Sequence, residues 1–309
     1  MTASFQRFRA RAAGVLTGLG VTLWGVMAQA EEMLGQPTPG AIDLQRGVTP
    51  LRNDAIWFHN VILMPIITAI TLLVLVLLII IAVRFNKRAN PIPAKWSHNT
   101  ALEIGWTLGP ILILVVISVF SFRLLFDYHD MPKPDVTIKA TGYQWYWGYE
   151  YPDQKIGEYI SNILPEDKAK AAGVPYKLAV TEPLYVPVNK VVRVQVTGAD
   201  VIHAFAVPAF GIIADAVPGR LNETWFKAEK TGIFYGNCRE LCGVDHAFMP
   251  IEVHVVTQAE FDAWVAKKAP KPAPVATPVV AEGAPAATAA GQPAAASVPP
   301  AAPPAPAAK

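Results

Sequence analysis

Two long apolar runs, followed by a region of alternating apolar and polar residues, divide the chain into a membrane part and a strand-rich part. The first run, Val61 to Val83, contains no charged residue, and the second, about Ile104 to Phe122, is nearly as apolar. Because an α-helix rises about 1.5 Å per residue, the first run exceeds the roughly 30 Å hydrocarbon core of a bilayer. We therefore predict a transmembrane helix hairpin over residues 57–130, with spans at about 61–83 and 104–122.

Positive charge between the two runs sets the predicted orientation. Arg84, Lys87, Arg88 and Lys95 lie there, and no acidic residue follows until Glu103. Short basic loops stay on the cytoplasmic side of a membrane. We therefore expect a multi-pass protein of the bacterial inner (plasma) membrane, with its N-terminus and its C-terminal domain in the periplasm.

The N-terminus has the features of a secretory signal. Three arginines precede an apolar stretch, and a small-residue cleavage site ends at Ala30. This pattern predicts a signal peptide at residues 1–30 and a periplasmic N-terminal segment at residues 31–56. The alternative is that the apolar stretch is a true first membrane span. A cleaved signal also predicts an oxidising compartment for the remaining chain.

Residues 131–268 carry the period-two pattern of β-strands. Val192, Val194 and Val196 alternate with polar residues, and residues 250–256 repeat the alternation. Short strands separated by Pro and Gly predict a β-sandwich or barrel, so the expected fold class is a membrane-anchored all-β protein.

Two segments are expected to lie outside that sheet structure. Residues 154–179 interrupt the alternation with charged and small residues, and we predict an excursion from the sheet. Residues 269–309 are rich in Ala and Pro and hold no aromatic residue. Such a tract cannot bury enough apolar surface to offset the entropy of ordering, which predicts a disordered tail. His254, on the polar face of its strand, is expected to be a solvated side chain.

The overall charge narrows the class of partner. The chain has 26 Lys and Arg residues against 24 Asp and Glu residues, a net charge of +2. This balance argues against nucleic acid as a partner. The two apolar runs make the lipid bilayer the expected partner instead.

The loop CRELCGVDHAFM, from Cys238 to Met249, holds the only two cysteines of the chain. In an oxidising compartment two cysteines commonly form a disulfide, although a bridge from Cys238 to Cys242 would close a very small ring. His246 and Met249 add an imidazole and a thioether. Thiolates and thioethers are soft ligands that favour copper, whereas zinc has little use for methionine. The loop is a candidate copper site, with the disulfide as the alternative.

An upstream histidine and the second cysteine extend this hypothesis. Strand-rich copper domains also take a histidine from a neighbouring strand, and the stretch VIHAFAVPAFG supplies His203. A one-copper electron-transfer site needs one cysteine, so a second cysteine allows both sulfurs to bridge two copper ions. Two thiolates balance the charge of two Cu(I) ions. The predicted site would therefore transfer one electron with little change in geometry.

The pattern C-x-E-x-C-x-x-x-H-x-x-M, joined to two membrane helices, resembles subunit II of heme-copper cytochrome c oxidase over about residues 53–268. The resemblance implies a periplasmic cupredoxin domain with a binuclear copper A centre. In that centre two cysteines bridge the metals, two histidines complete them, and a methionine and a backbone carbonyl are the remaining ligands: Cys238, Cys242, His203, His246, Met249 and Glu240. The Glu240 carboxylate is then expected to bind Mg²⁺ or Mn²⁺ together with the catalytic subunit.

The stretch GYQWYWGYEY, residues 142–151, is a second signature of the family. Trp145 matches the tryptophan that passes electrons from cytochrome c to copper, and the other aromatic residues are expected to pack the core. Four acidic residues are expected to steer a basic cytochrome to this domain: Glu150, Asp153, Asp200 and Asp215. Relatives often carry acids where this chain has Lys155, Ile156 and Val188, so the docking face is expected to be thinner or displaced.

Glu103 lies at the start of the second apolar run. A glutamate at a helix N-terminus stabilises the helix by about 0.3–1 kcal/mol through the helix dipole. The family places a glutamate here at the cytoplasmic mouth of a proton pathway into the catalytic subunit. The charge pattern puts Glu103 on that side, and we expect it to mark the entrance of the pathway.

The resemblance implies a redox subunit that accepts electrons from cytochrome c and passes them to heme in a catalytic subunit, where oxygen is reduced to water and protons are pumped. Two alternatives are a quinol oxidase subunit II, which shares the fold but lacks the copper ligands, and a periplasmic copper carrier (chaperone). Catalysis itself is not expected in this chain. Its apolar runs hold no set of histidines for a heme, and it has no C-x-x-C-H motif.

Overall fold

The computed structural model describes residues 33–269 of the chain. The predicted signal peptide, residues 1–30, lies outside these residues. So does the predicted Ala/Pro-rich tail from residue 270 onwards.

Two long helical stretches follow a short N-terminal segment. The first consists of α1 (Pro50–Trp57), a π-helix (Phe58–Leu63) and α2 (Met64–Arg84), and the second is α3 (Thr100–His129). Both stretches are long and apolar enough to cross a membrane, and their apolar side chains are largely exposed. The predicted spans at 61–83 and 104–122 lie inside them. The helices extend past the apolar runs into the polar residues on either side.

Side-chain caps explain where the two helical stretches begin. The hydroxyl oxygen of Thr49 accepts a hydrogen bond from the backbone N–H of Arg52 at 3.1 Å, and Pro50 lies in the first turn. Asn99 caps α3 in the same way, accepting from the backbone N–H of Leu102 at 3.1 Å. Such caps satisfy N–H groups that have no partner inside a helix.

The rest of the described chain is a sandwich of two five-stranded sheets. One sheet has the order β3-β2-β1-β5-β8 and the other β4-β10-β9-β6-β7. The strands are β1 (Val136–Tyr143), β2 (Tyr146–Tyr151), β3 (Ile156–Ser161), β4 (Leu184–Pro187), β5 (Val191–Gly198), β6 (His203–Val207), β7 (Ile212–Ala216), β8 (Asn222–Lys227), β9 (Gly232–Cys238) and β10 (Pro250–Val256). The pairs β1–β5 and β4–β10 are parallel, and the other pairs are antiparallel. The predicted β-sandwich is confirmed.

The core lies between the sheets, and the alternation in the sequence accounts for it. Val192, Val194 and Val196 on β5 are fully buried, while the residues between them are half-buried. Trp147, Tyr149 and Tyr151 fill the centre from β2 with no exposed surface. Full burial of one large apolar side chain contributes about 1.5–3 kcal/mol.

The segment from residue 154 to 179 only partly leaves the sheets, so the predicted excursion was partly wrong. Its first part is β3, which pairs with β2, and the short helix α4 (Glu166–Ala172) follows. The chain returns through a bridge between Ile163 and Val180. A further helix, α5 (Gln258–Lys268), starts with a capping box at Thr257 and Glu260.

The solvated role expected for His254 was also wrong. Its ring nitrogen Nε2 lies 2.6 Å from a carboxylate oxygen of Glu252, and its side chain is only 22% exposed. Glu252 is itself buried, and it also accepts a hydrogen bond from the backbone N–H of Val180 at 2.8 Å. The segment that returns at Val180 covers this outer face of β10, which is why a residue on the polar face is buried.

Hydrogen bonds join the outer ends of the helices to the sandwich. The Tyr128 hydroxyl near the end of α3 donates to the carbonyl of Gly211 at 2.9 Å, and the indole of Trp225 donates to the carbonyl of Tyr128 at 3.1 Å. Before α1, the Thr49 hydroxyl donates to the carbonyl of Phe210 at 2.8 Å. Both helical stretches therefore meet the turn at residues 208–211.

Candidate metal centre

Two strand ends and one loop bring the candidate ligands together. His203 is the first residue of β6, Cys238 is the last residue of β9, and the loop from Cys242 to Met249 leads into β10. Strands β6 and β9 pair antiparallel, with Phe205 opposite Cys238. This pairing places the upstream histidine beside the cysteine loop, as the sequence predicts.

Each thiol has its own imidazole. The Sγ atom of Cys238 lies 4.0 Å from Nδ1 of His203, and Sγ of Cys242 lies 3.6 Å from Nδ1 of His246. The two Sγ atoms are 3.8 Å apart, and both cysteines are free. A disulfide requires about 2.05 Å between its sulfurs, so the alternative of a Cys238–Cys242 disulfide does not describe this structure.

Two softer or weaker donors complete the cluster. The thioether sulfur of Met249 lies 3.5 Å from Sγ of Cys242, and the backbone carbonyl oxygen of Glu240 lies 3.2 Å from Sγ of Cys238. Cys238, Cys242, Met249 and the upstream histidine are buried. The Glu240 side chain is exposed, so its carboxylate is separate from the buried donors.

The spacing and the chemistry of these donors fit metal ions. Ligand atoms of His203, Cys238 and Cys242 all lie within 4.8 Å of one another. Two ligands bound at about 2.0–2.3 Å to one tetrahedral metal are about 3.5 Å apart, close to the sulfur–nitrogen distances here. Thiolate, thioether and imidazole together favour copper. The donors fall into two sets that share the thiols, which is an arrangement able to hold two ions.

The pKa values of the two thiols are shifted in opposite directions. Burial raises the pKa of Cys238, but its hydrogen bonds with His203 and with backbone groups outweigh burial and lower the pKa to about 7. Burial and the nearby charge of Cys238 raise the pKa of Cys242 to about 12. A cation between the sulfurs would remove this mutual repulsion. The two thiols are therefore suited to binding a cation.

Asp200 was predicted to be a docking acid, but the structure turns it towards His203. Nε2 of that histidine donates to Asp200 Oδ1 at 2.8 Å, because a carboxylate can only accept. Burial raises the pKa of Asp200, but the bond from His203 and two backbone N–H groups lower it overall.

Trp145 lies directly against the metal loop. Its indole N–H donates to the carbonyl of Cys242 at 3.3 Å, and the side-chain amide of Gln144 donates to the same oxygen at 2.9 Å. The Trp145 side chain is half-buried. The rings of Tyr143 and Tyr146, at the two ends of the same turn, stack with centroids 4.8 Å apart.

The other predicted acids have separate positions. Glu150 pairs with Lys139 at 3.1 Å, and Asp153 accepts from the backbone N–H of Thr137 at 2.9 Å. Asp215 is exposed on β7.

Glu103 is far from the metal centre. It lies in the first turn of the 30-residue α3, where its carboxylate accepts from the backbone N–H of Asn99 at 3.3 Å. A helix of that length spans about 45 Å, and the sandwich follows its other end.

The sequence alone did not identify one residue that lies against a candidate ligand. Gly142 on β1 faces His203, and a Cβ atom there would lie 2.8–3.0 Å from three atoms of the histidine side chain. A glycine inside a strand pattern is a signal of close approach by another group. That signal is present in the stretch GYQWYW, but it does not say which group approaches.

Comparison with known proteins assigns both parts of the chain to one family. Residues 37–124 match the family model for the transmembrane domain of cytochrome c oxidase subunit II, and residues 136–256 match the model for its periplasmic domain. Cytochrome c oxidase subunit 2 of Cereibacter sphaeroides is 44% identical over 270 residues, which is 82% of this chain and 89% of that protein. The probable cytochrome c oxidase subunit 2 of Rickettsia bellii is 44% identical over 254 residues, 82% and 92% of the two chains.

A crystal structure of the periplasmic domain of subunit II of cytochrome oxidase (CoxB) of Bradyrhizobium japonicum is also similar. It is 62% identical, with a TM-score of 0.42, over 45% of this chain and 96% of that one. The two family models and the curated relatives carry the assignment, because they cover most of the chain. This membrane-anchored chain belongs to the cytochrome c oxidase subunit II family.

Proposed function

We propose that this chain is the subunit of a proton-pumping cytochrome c oxidase that accepts electrons from cytochrome c and passes them to heme in the catalytic subunit. The observation that carries the proposal is the pair of buried thiols 3.8 Å apart, each with its own imidazole within 4.0 Å. A single-metal site would need only one such set.

The proposed cofactor is a pair of copper ions. Cys238 and Cys242 would bridge the metals, one histidine would complete each, and the remaining donors would be the Met249 thioether and the Glu240 carbonyl. When bound, the pair would take up and release one electron. His203 and His246 support this division because each imidazole lies beside a different thiol.

Electrons would reach the copper pair through Trp145. Its indole contacts the carbonyl of Cys242, so an aromatic ring joins the protein surface to the metal loop. Glu150, Asp153 and Asp215 would contribute negative charge that steers a basic cytochrome c towards the domain. Glu150 is already paired with Lys139, which weakens its share.

Electrons would leave towards a partner that packs on the metal loop. Leu241 and Val244 in this loop are 78% and 84% exposed. Exposed apolar side chains around a functional loop are typical of an interface with another chain. The exposed Glu240 carboxylate would bind Mg²⁺ or Mn²⁺ at that interface, since such cations prefer oxygen ligands.

The helices would anchor the subunit in the inner membrane with the sandwich in the periplasm. The basic loop between α2 and α3 supports this orientation. Glu103 would then lie on the cytoplasmic side, where we propose that it marks the entrance of a proton pathway into the catalytic subunit.

Two alternative functions remain to be separated by experiment. A quinol oxidase subunit II would lack the copper ligands, and this chain has the complete set. A copper carrier would present its ligands for rapid exchange, whereas Cys238, Met249 and His203 are at most 1% exposed. Burial of the ligands therefore favours a resident metal.

The test is copper content and electron paramagnetic resonance on the full chain purified in detergent and loaded with copper. We expect two coppers per chain that share one unpaired electron. The matched variant Cys242→Ser should lose this shared signal, because an alcohol does not bridge two soft ions. One localised copper in the unsubstituted chain, or none, would refute the proposal. Rapid removal of the copper by a mild chelator would favour the carrier.

A further inference from the structure

We propose that Asp200 is a positioning residue that orients His203 towards the copper pair and ties it to the turn that carries Trp145. The inference rests on the proposed function, since it assigns a role within the same site. It is a role in addition to the docking role that the sequence predicts for this acid.

Both oxygens of the Asp200 carboxylate are engaged. Oδ1 accepts from Nε2 of His203 at 2.8 Å and from the backbone N–H of Val201 at 2.7 Å. Oδ2 accepts from the backbone N–H of Gln144 at 2.7 Å. Hydrogen bonds to an ionised carboxylate are shorter and stronger than those between neutral groups. The carboxylate is therefore fixed at the joint between the start of β6 and the turn between β1 and β2.

The bond to His203 decides which ring nitrogen can face the metals. A neutral imidazole has one N–H donor and one acceptor nitrogen, and a carboxylate at Nε2 fixes the proton there. Nδ1 then carries no proton, and its lone pair is free to bind a metal. It is the nitrogen that lies 4.0 Å from Sγ of Cys238. The His203 side chain is completely buried, so no water can replace the carboxylate without rearrangement.

The bond to Gln144 links this histidine to the path of the electron. The side chains of Gln144 and Trp145 both donate to the carbonyl of Cys242, while the backbone of Gln144 donates to Asp200. The contacts form a continuous chain from His203 through Asp200 and the turn to Cys242. One carboxylate thus fixes the tryptophan and a copper ligand relative to each other.

A pure docking role does not explain these contacts. The Asp200 side chain is 34% exposed, but its hydrogen bonds all point to groups of its own domain. Asp215 provides the contrast, because it is exposed and its carboxylate makes no hydrogen bond among residues 33–269. It lies on β7 opposite Ala204, the residue after His203. Asp215 is therefore a nearby acid whose charge can be removed without loss of a contact.

The experiment compares Asp200→Ala, Asp200→Asn and Asp215→Asn in the full chain. The readouts are the copper hyperfine pattern, the reduction potential, copper affinity by competition, and cytochrome c binding at low and high salt. We expect Asp200→Ala to change the hyperfine pattern and to lower copper affinity about 10–100-fold. Asp200→Asn keeps an oxygen that accepts from His203, so it should restore most of the signal although it removes the same charge. Asp215→Asn should leave the copper signature unchanged.

The opposite pattern would overturn the inference. If both Asp200 variants keep the unsubstituted copper signature and only weaken salt-sensitive cytochrome c binding, as we expect for Asp215→Asn, then Asp200 is a docking acid only. If Asp200→Ala does not fold, Asp200→Asn decides, because full loss of the histidine ligation in that variant would contradict a role as acceptor.

A metal-free readout separates this inference from the proposed function. Nitrogen-15 resonances of histidine rings in the copper-free chain, at mildly alkaline pH, report which ring nitrogen carries the proton. We expect the proton of His203 on Nε2 in the unsubstituted chain. In Asp200→Ala the proton should no longer be confined to Nε2. A proton on Nδ1 would refute the positioning role even where two coppers bind. Failure of the unsubstituted chain to bind a copper pair would refute only the proposed function.

Discussion

At the scale of single residues, the site depends on the space beside its ligands as well as on the ligands themselves. Strand β1 passes so close to His203 that a Cβ atom at Gly142 would meet ring atoms at 2.8 and 2.9 Å. Protein interiors are close-packed, so such an atom forces a neighbour to move. The neighbour here is a candidate metal ligand whose other side is held by Asp200.

We expect Gly142→Ala to displace the His203 ring and to lower copper affinity at least about tenfold, with about 1–3 kcal/mol of lost stability from overpacking. Competition titration with a copper chelator measures the first effect, and denaturant unfolding measures the second. Gly157→Ala is the matched control, because a Cβ atom at that strand glycine has no neighbour within 4 Å. Equal affinities in the two variants would contradict the expected effect.

Residue chemistry was readable from the sequence, but residue contacts were not. Two cysteines, a histidine and a methionine in twelve residues indicate soft-metal chemistry wherever the loop lies. The roles of Gly142 and Asp200 depend on which strands become neighbours, and β1 pairs with the distant strand β5, where Val136 lies opposite Val192. Asp200 looked like a surface acid because its hydrogen bond to His203 exists only in the folded site.

At the scale of elements, β10 shows how one strand can have two buried faces. Ile251, Val253 and Val255 face the core, as the alternation predicts. Glu252 points the other way and is still buried, since the segment around Val180 covers it. A period of two identifies the faces of a strand, but it does not show whether a later or earlier segment folds over the outer one.

Glu252→Ala should destabilise the domain by about 1–3 kcal/mol, because it leaves the buried N–H of Val180 without an acceptor. It also removes the partner of His254. Denaturant unfolding measures the loss, and hydrogen exchange should show faster opening at the Val180 amide. The comparison variant is Glu166→Ala, which removes an exposed pair with Lys170 and should cost less than about 1 kcal/mol. A similar loss in both variants would mean that Glu252 does not hold this segment.

At the scale of the whole molecule, a helix hairpin and a sandwich form one unit through a few hydrogen bonds. The sequence predicted both parts from their different periodicities. It did not predict their joint, because Tyr128, Gly211 and Trp225 come from three separate segments. In the proposed oxidase this joint would set the height of the copper site above the membrane.

Tyr128→Phe removes the hydroxyl that donates to Gly211, a loss of about 0.5–1.5 kcal/mol at the joint. We expect proteolysis of the connection at residues 130–135 to accelerate, while the copper signature stays unchanged. Tyr176→Phe is the control, because that hydroxyl makes no hydrogen bond within the described part of the chain and its ring is 40% exposed. No difference in cleavage rate between the two variants would show that this bond does not secure the joint.

The charges of one loop predict the orientation of the whole chain. Arg84, Lys87, Arg88 and Lys95 are exposed between α2 and α3, and positive charge of this kind is retained in the cytoplasm. In spheroplasts, a membrane-impermeant maleimide should therefore label Ala171→Cys on the exposed helix α4 but label Ser97→Cys only after permeabilisation. The native Cys238 and Cys242 are buried, which keeps the background low. The reverse labelling would place the sandwich in the cytoplasm, where a periplasmic cytochrome c could not reach Trp145.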